Sequence, residues 1–306
     1  MKKTLTLFAL LIIGLNAFAC EICGCGVGNF YMGITPQFNR HFIGVRYRQI
    51  AYDSHLGIGG TKSHLTTHEL FQTVELWARF YPTQRIQVMA FLPYHVNRQT
   101  DYNQTFSKTL SGLGEGTLLA NYRLLDNTHD TLPRHFRHNL LIGGGVKLPT
   151  ARFRFDVSDN QQVANPNFQL GSGSTDFLAN LVYVVRAGKW GLSTDLNLKI
   201  NTTNADGYRF GNRISGQAAL FHARNVRGVS VMPYVGAFGE YNLQDNNNGV
   251  VISNTGGRAA FAVGGLELYI GRVSIGGNFQ QPLRQDFANG TIKTYGRAVA
   301  HLTIMI

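Results

Sequence analysis

The chain has 306 residues, with 28 Lys plus Arg against 17 Asp plus Glu for a formal charge of +11, and it is rich in Gly (35), Phe (20) and Tyr (13). None of the Ala/Glu/Lys/Leu stretches with a 3.6-residue period that mark a helical domain is present, so strands dominate the reading. The basic balance suits anionic solutes or lipopolysaccharide phosphates, and the absence of a basic helix or an aromatic RNA-binding signature argues against nucleic acid.

In chain order, Lys2 and Lys3 precede an apolar run from Leu5 to Leu15, and Ala17-Phe18-Ala19 then offers small residues where a signal peptidase reads. This predicts a secretory signal peptide over 1–19. The run falls short of the ~20 apolar residues of a spanning helix, and no other stretch comes near that length. Residues 20–37 are expected to form a periplasmic segment holding all three cysteines, Cys20, Cys23 and Cys25. Flexible glycines would let these thiols converge on Cu(I) or Zn(II). Lipidation of Cys20 is a second reading, although a lipobox prefers Leu where Ala17 stands. A disulfide that leaves one thiol over is a third. Nothing else in the chain calls for a cofactor.

Residues 38–306 are expected to form one all-β domain, a transmembrane antiparallel up-and-down barrel. Its strands are predicted at about 40–52, 67–81, 85–97, 113–125, 136–149, 174–187, 190–201, 209–224, 228–242, 257–270, 272–283 and 292–306. Twelve is an even number, as a bacterial single-chain barrel requires. The clearest segment is Trp190 to Asn201, where Trp190, Leu192, Thr194, Leu196, Leu198 and Ile200 alternate with Gly191, Ser193, Asp195, Asn197, Lys199 and Asn201. One face could meet lipid and the other water. Glycines such as Gly44, Gly116, Gly144, Gly216, Gly236, Gly264 and Gly277 fall inside these segments, where they ease curvature.

The connections alternate in length. Long polar ones span 53–66, 98–112, 150–173, 202–208, 243–256 and 284–291; short ones fall at 82–84, 188–189, 225–227 and Gly271. Outer-membrane barrels have this asymmetry, with short periplasmic turns and long outer loops. The stretch 126–135 breaks the rule. Of the outer loops, 150–173 is expected to narrow or plug the mouth.

Inward faces would carry Arg46, Arg48, Glu75, Arg79, Glu115, Arg123, Asp176, Asp195 and Glu240. Charges of both signs belong in a lumen and are costly against lipid, though the solvated face of a soluble sandwich could also hold them. Arg46, Arg79, Glu115, Arg123 and Asp176 are the candidate solute path.

His64 and His68 are four apart in a loop running into a strand, a spacing that does not bring ligands together as it would on a helix. His129, His135 and His138 cluster at the anomalous turn. No Gly-x-Ser-x-Gly elbow, His-Glu-x-x-His helix or phosphate loop is present. A barrel hydrolase could still assemble Ser and His from separate strands.

Several short motifs occur in a fixed order: Gly112-Leu113-Gly114-Glu115-Gly116 leading into Asn121-Tyr122-Arg123, Val146-Lys147-Leu148-Pro149-Thr150, Leu170-Gly171-Ser172-Gly173-Ser174-Thr175-Asp176-Phe177, and Phe279-Gln280-Gln281-Pro282-Leu283. As a set they resemble the MetA-pathway of phenol degradation family over about 110–290. The resemblance implies an outer-membrane barrel and a link to uptake of aromatic compounds; it implies no catalytic residues.

The expectation is therefore a monomeric, non-enzymatic channel or transporter for small solutes, hydrophobic or aromatic compounds among them, in the outer membrane of a Gram-negative bacterium. Its partners would be outer-membrane lipid, lipopolysaccharide, the solute and the barrel assembly machinery. The alternatives are a barrel that handles copper or zinc through Cys20, Cys23 and Cys25, and an outer-membrane hydrolase.

Overall fold

The structure, a computed structural model, describes residues 40–127, 135–153 and 166–306. Its frame is twelve long antiparallel strands: β1 (Phe42–Ser54), β2 (Thr67–Phe80), β3 (Ile86–Asp101), β4 (Thr117–Asp126), β5 (Arg137–Lys147), β6 (Asp176–Ala187), β7 (Trp190–Ile200), β8 (Arg213–His222), β9 (Val229–Asn242), β10 (Gly257–Ile270), β11 (Val273–Phe287) and β12 (Arg297–Met305). Each pairs with its neighbours in sequence. β12 returns to β1, from Phe42 opposite Met305 to Gln49 opposite Ala298, and closes the sheet. Closure matters because a bilayer offers no water to an unpaired strand edge.

Alternation along the strands sorts side chains by solvent. On β7, Trp190, Leu192, Leu196, Leu198 and Ile200 are exposed, while Ser193, Asp195, Asn197 and Lys199 are buried. β1 repeats the pattern, with Ile43 and Val45 outward against Arg46 and Arg48 inward. A soluble domain would show the reverse. Apolar side chains around the outside and charges within are the arrangement of a barrel standing in lipid.

The short turns gather at one end, with the start of β1 and the end of β12. Gly188 and Gly271, with φ of 59° each, make the tightest of them. This is the periplasmic end. The opposite end carries the long loops, where Tyr208–Arg209, Asn246–Asn247 and Val250–Val251 form a small separate sheet.

One stave departs from expectation. Residues 98–112 do not form an open loop: β3 continues to Asp101 and Ser107–Leu113 pairs back against its outer half, from Tyr94 opposite Leu113 to Thr100 opposite Ser107. The connecting turn is held by the Asp101 carboxylate, which accepts from Phe106 N (2.7 Å) and Thr105 Oγ1 (2.6 Å). A polar sequence can extend a strand here because above the bilayer neither face has to be apolar. β4 resumes at Thr117 against the inner half of β3, so the fourth stave is interrupted at 114–116.

β5 lies close to β4 because it lacks side chains at the contact. A Cβ on Gly143 would sit 2.3 Å from the Ala120 carbonyl oxygen, and one on Gly145 2.1 Å from that of Leu118.

Candidate functional site

The lumen is organised around ion pairs whose members come from different staves. At its outer end Lys147, the last residue of β5, pairs with Glu115 and lies 2.9 Å from Asp176 Oδ2; Lys199 of β7 lies 3.2 Å from the same oxygen. All four residues are less than 9% exposed. Charges this deep persist only when paired and hydrogen-bonded, and two cations with two carboxylates meet that condition.

The interruption of the fourth stave is what turns Glu115 into this cluster. Gly114 has no side chain to meet His95, whose Nε2 would lie 2.3 Å from a Cβ there. The loop before β6 then folds down into the barrel. Asn167, Phe168, Gln169, Ser172 and Ser174 are all buried, and the ring of Phe168 lies 6.3 Å from that of Phe71 on the wall. Polar contacts fix the segment. Asn97 Nδ2 donates to Gln169 O (3.0 Å), Gly173 N to Glu115 Oε1 (2.9 Å), Ser174 Oγ to Asp176 Oδ1 (2.7 Å) and Asn204 Nδ2 to Ser172 O (2.9 Å), and Lys147 donates to Ser172 Oγ. A segment with this many buried partners is an internal plug. The cavity left between plug and wall, lined by Arg48, Glu75, His95, Glu115, Lys147 and Lys199, has a volume of about 30 Å³. That is room for only a few waters.

Two Arg–Glu–Arg groups complete the network, one deeper in the lumen and one at the outer strand ends, where Arg213 opens β8 as the register partner of Lys199 and Arg297 opens β12. Glu75 of β2 pairs with its register partner Arg46 and lies 3.7 Å from Arg48; Glu240 of β9 pairs with both Arg213 and Arg297. Arg46 also stacks over Trp77, 5.0 Å from its centroid, and Arg297 over Phe261 at 4.1 Å. Toward the periplasm the lumen buries Phe42, Trp77, Met89, Leu119, Phe221 and Met305 beside the polar Gln87, Asn121, Glu267 and Thr303. Arg79 and Arg123 sit at that end, both over the ring of Tyr81.

The structure thus joins two of the five expected path residues, Glu115 and Asp176, through Lys147. It sets Arg46 one layer further in, and Arg79 and Arg123 at the opposite mouth. Sequence reasoning did not select Lys147, Lys199, Ser172, Arg213 or Arg297. Lys199 could have been found, since it sits on the inward set of the clearest strand. Cys20, Cys23, Cys25 and His129 lie outside the described residues. Among the described residues no three His, Cys, Asp or Glu side chains are grouped to hold a metal ion. His138 instead bonds the Tyr183 hydroxyl at 2.8 Å, and His68 bonds Asp53 at 2.8 Å.

No family model matches the chain. Among curated proteins it is 29% identical over 154 residues to the O-methyltransferase sirM of Leptosphaeria maculans, a match that takes in 49% of this chain and 34% of that protein. The chain thus spans about a third of the length of that relative. Among solved structures it is similar to an outer-membrane channel from Pseudomonas putida F1, with a TM-score of 0.61 at 14% identity over 90% of this chain and 99% of that one. It is also similar to the beta domain of the Bordetella autotransporter BrkA, with a TM-score of 0.50 at 10% identity over 88% and 100%. At such identities the likeness is one of fold, and by its fold this chain is a β-barrel of the Gram-negative outer membrane.

Proposed function

We propose that the protein is an outer-membrane channel for small solutes, kept shut by residues 166–174 until that segment moves. The observation that carries this reading is the buried plug itself, latched to the wall by Glu115, Lys147 and Asp176. A barrel built only as an anchor has no need of a segment crossing its lumen on hydrogen bonds that can be exchanged for water. Buried rings inside the barrel, Phe42, Trp77, Phe221 and Phe261 among them, favour hydrophobic or aromatic solutes, in line with the resemblance to the phenol-degradation family.

The chemistry of the outer cluster supports transport over catalysis. Two of its hydroxyls meet carboxylates, Ser174 Oγ donating to Asp176 Oδ1 (2.7 Å) and Ser172 Oγ to Glu115 Oε2 (3.2 Å), but both carboxylates are already engaged as partners of Lys147 and serve the latch as acceptors.

Single-channel recording of the refolded protein in a planar bilayer tests the proposal. Wild type should give small, infrequent steps, and deletion of 166–174 should give large, steady ones. A deletion variant that folds and stays silent would sink the channel reading.

A further inference from the structure

Charged side chains also stand on the outside of the barrel, where a channel has no use for them. They follow one another along the outer rim. Arg258 of β10 is the register partner of Asp286 of β11, and Asp53 of β1 has Lys293 on one side and His68 of β2 on the other. The bridge between Phe287 and Ile292 sets Asp286 beside Lys293 and so joins the two halves of the row. Two residues further toward the bilayer, Arg284 follows Asp286 on β11, and Arg98 of β3 lies opposite Leu70 of β2. Alternation turns these side chains outward, because Ala259, Phe287, Thr294, Thr67 and Gln99 beside them are buried in the lumen.

The row carries more positive charge than it balances. Asp53 is satisfied where it stands, 2% exposed beneath Lys62 Nζ (2.9 Å), His68 Nδ1 (2.8 Å) and the Tyr295 hydroxyl (2.7 Å). Arg98, Arg258, Arg284 and Lys293 are exposed and make no ion pair among the described residues. Four cations thus face one remaining carboxylate, Asp286.

Their height is fixed by the cost of charge in hydrocarbon. An outward-facing arginine is expensive at the bilayer midplane and tolerated near the interface, so these residues mark the level of the outer head groups. Aromatic rings gather at the same level, as interfacial girdles do: Tyr295 lies 5.7 Å from Lys293 Nζ, and Tyr102 lies 5.4 Å from Lys62 Nζ. Below, the same staves turn apolar, with Val45, Val74, Leu76 and Leu302 exposed. The row is also one-sided. Past Arg258 its next register partners are Tyr241, Ile214 and Leu198, all exposed and uncharged.

We propose that Arg98, Arg258, Arg284 and Lys293 form a docking surface for the phosphate groups of lipopolysaccharide in the outer leaflet, whose acyl chains lie along the apolar staves below. Guanidinium and ammonium groups are the side chains that take phosphate, through charge-assisted hydrogen bonds. Neighbouring strands lie ~4.8 Å apart, so the row from β10 to β3 spans roughly 24 Å, room for more than one phosphate. The surface faces lipid and stands whether or not the lumen conducts.

The experiment immobilises the full refolded chain in detergent and measures, through its hydroxy fatty acids, the lipid A retained, with empty resin as blank. The probes are diphosphoryl lipid A and the same lipid stripped of its phosphates. The diphosphoryl form should bind about tenfold or more tighter, and should lose about tenfold when Arg98→Gln, Arg284→Gln and Lys293→Gln are combined. Arg224→Gln with Arg227→Gln, exposed at the opposite end of the barrel, should change nothing. Raising the salt from about 0.05 to about 0.5 M should weaken the phosphorylated lipid several-fold, because the patch is open to solvent. Retention of the heat-modifiable gel shift certifies that each variant is folded, and the single variants stand in should the triple one fail. Equal retention of the two lipids, or unchanged retention in the folded triple variant, overturns the proposal. Displacement of lipid A by equimolar inorganic phosphate overturns its lipid part, and phosphatidylglycerol held as tightly as lipid A overturns the choice of lipopolysaccharide.

Discussion

Gly171 lies against Glu115 so closely that a Cβ on the glycine would sit 2.6 Å from the glutamate Cγ, and 2.8 Å from the Cβ of Ala151 on its other side. The plug passes between the two because it carries no side chain there. Gly171→Ala should therefore push the segment away from the wall, costing about 1–3 kcal/mol as an overpacked core does. In single-channel recordings the variant should open more often than wild type. Unchanged gating together with unchanged stability would show that the contact is slack.

Lys147 is the shared cation of the latch. Lys147→Met would leave Glu115 and Asp176 buried with Lys199 as their neighbour, and removing one partner from a buried ion-paired group typically costs about 3–5 kcal/mol. Glu115→Gln should cost less, since Lys147 keeps Asp176 at 2.9 Å. Urea unfolding of the two variants in lipid vesicles checks the order; the reverse order would mean that Glu115, not Lys147, organises the cluster.

Asp245, in the outer loop after β9, accepts hydrogen bonds from the Tyr208 hydroxyl (2.7 Å) and Gly211 N (2.7 Å) and is 2% exposed. Burial is the leading influence and pushes its pKa up to about 6, with the two hydrogen bonds opposing. The folded state thus holds a proton that the unfolded chain, titrating near 3.9, has released. Stability should fall as the pH rises from about 4 to about 6 and then level off. Asp245→Asn should flatten that part of the profile. Urea midpoints across this range decide it: a wild-type profile that rises with pH contradicts the assignment.

Leu196 stands at the middle of β7 facing outward, 48% exposed. Leu196→Arg should cost about 2–4 kcal/mol in a bilayer, the penalty for arginine on the lipid face at the midplane. Asn197→Ser, one residue along and facing the lumen, should cost far less. Unfolding in vesicles gives both values, and equal costs would put the two faces of this strand in doubt.

The sequence by itself determined the staves and the faces. A period of two along Trp190–Ile200, with turn residues such as Gly188 and Gly271 between segments, allows one reading only once a membrane must be crossed: apolar side out, polar side in, the first and last strands opening and closing at the short-turn end. Physically this is local information, since each residue's face depends on its own strand. Ser107–Leu113 escaped because a strand standing above the bilayer needs no apolar face and so looks like a loop. What only the tertiary structure decided is who meets whom. Glu115, Lys147, Asp176 and Lys199 come from four consecutive staves, and Ser172 from a loop that could as easily have pointed outward. Alternation says that a side chain enters the lumen but not at what height, nor which group faces it across the barrel. Height and facing are set by strand tilt and stagger, which become fixed only when β12 pairs with β1 and the barrel closes.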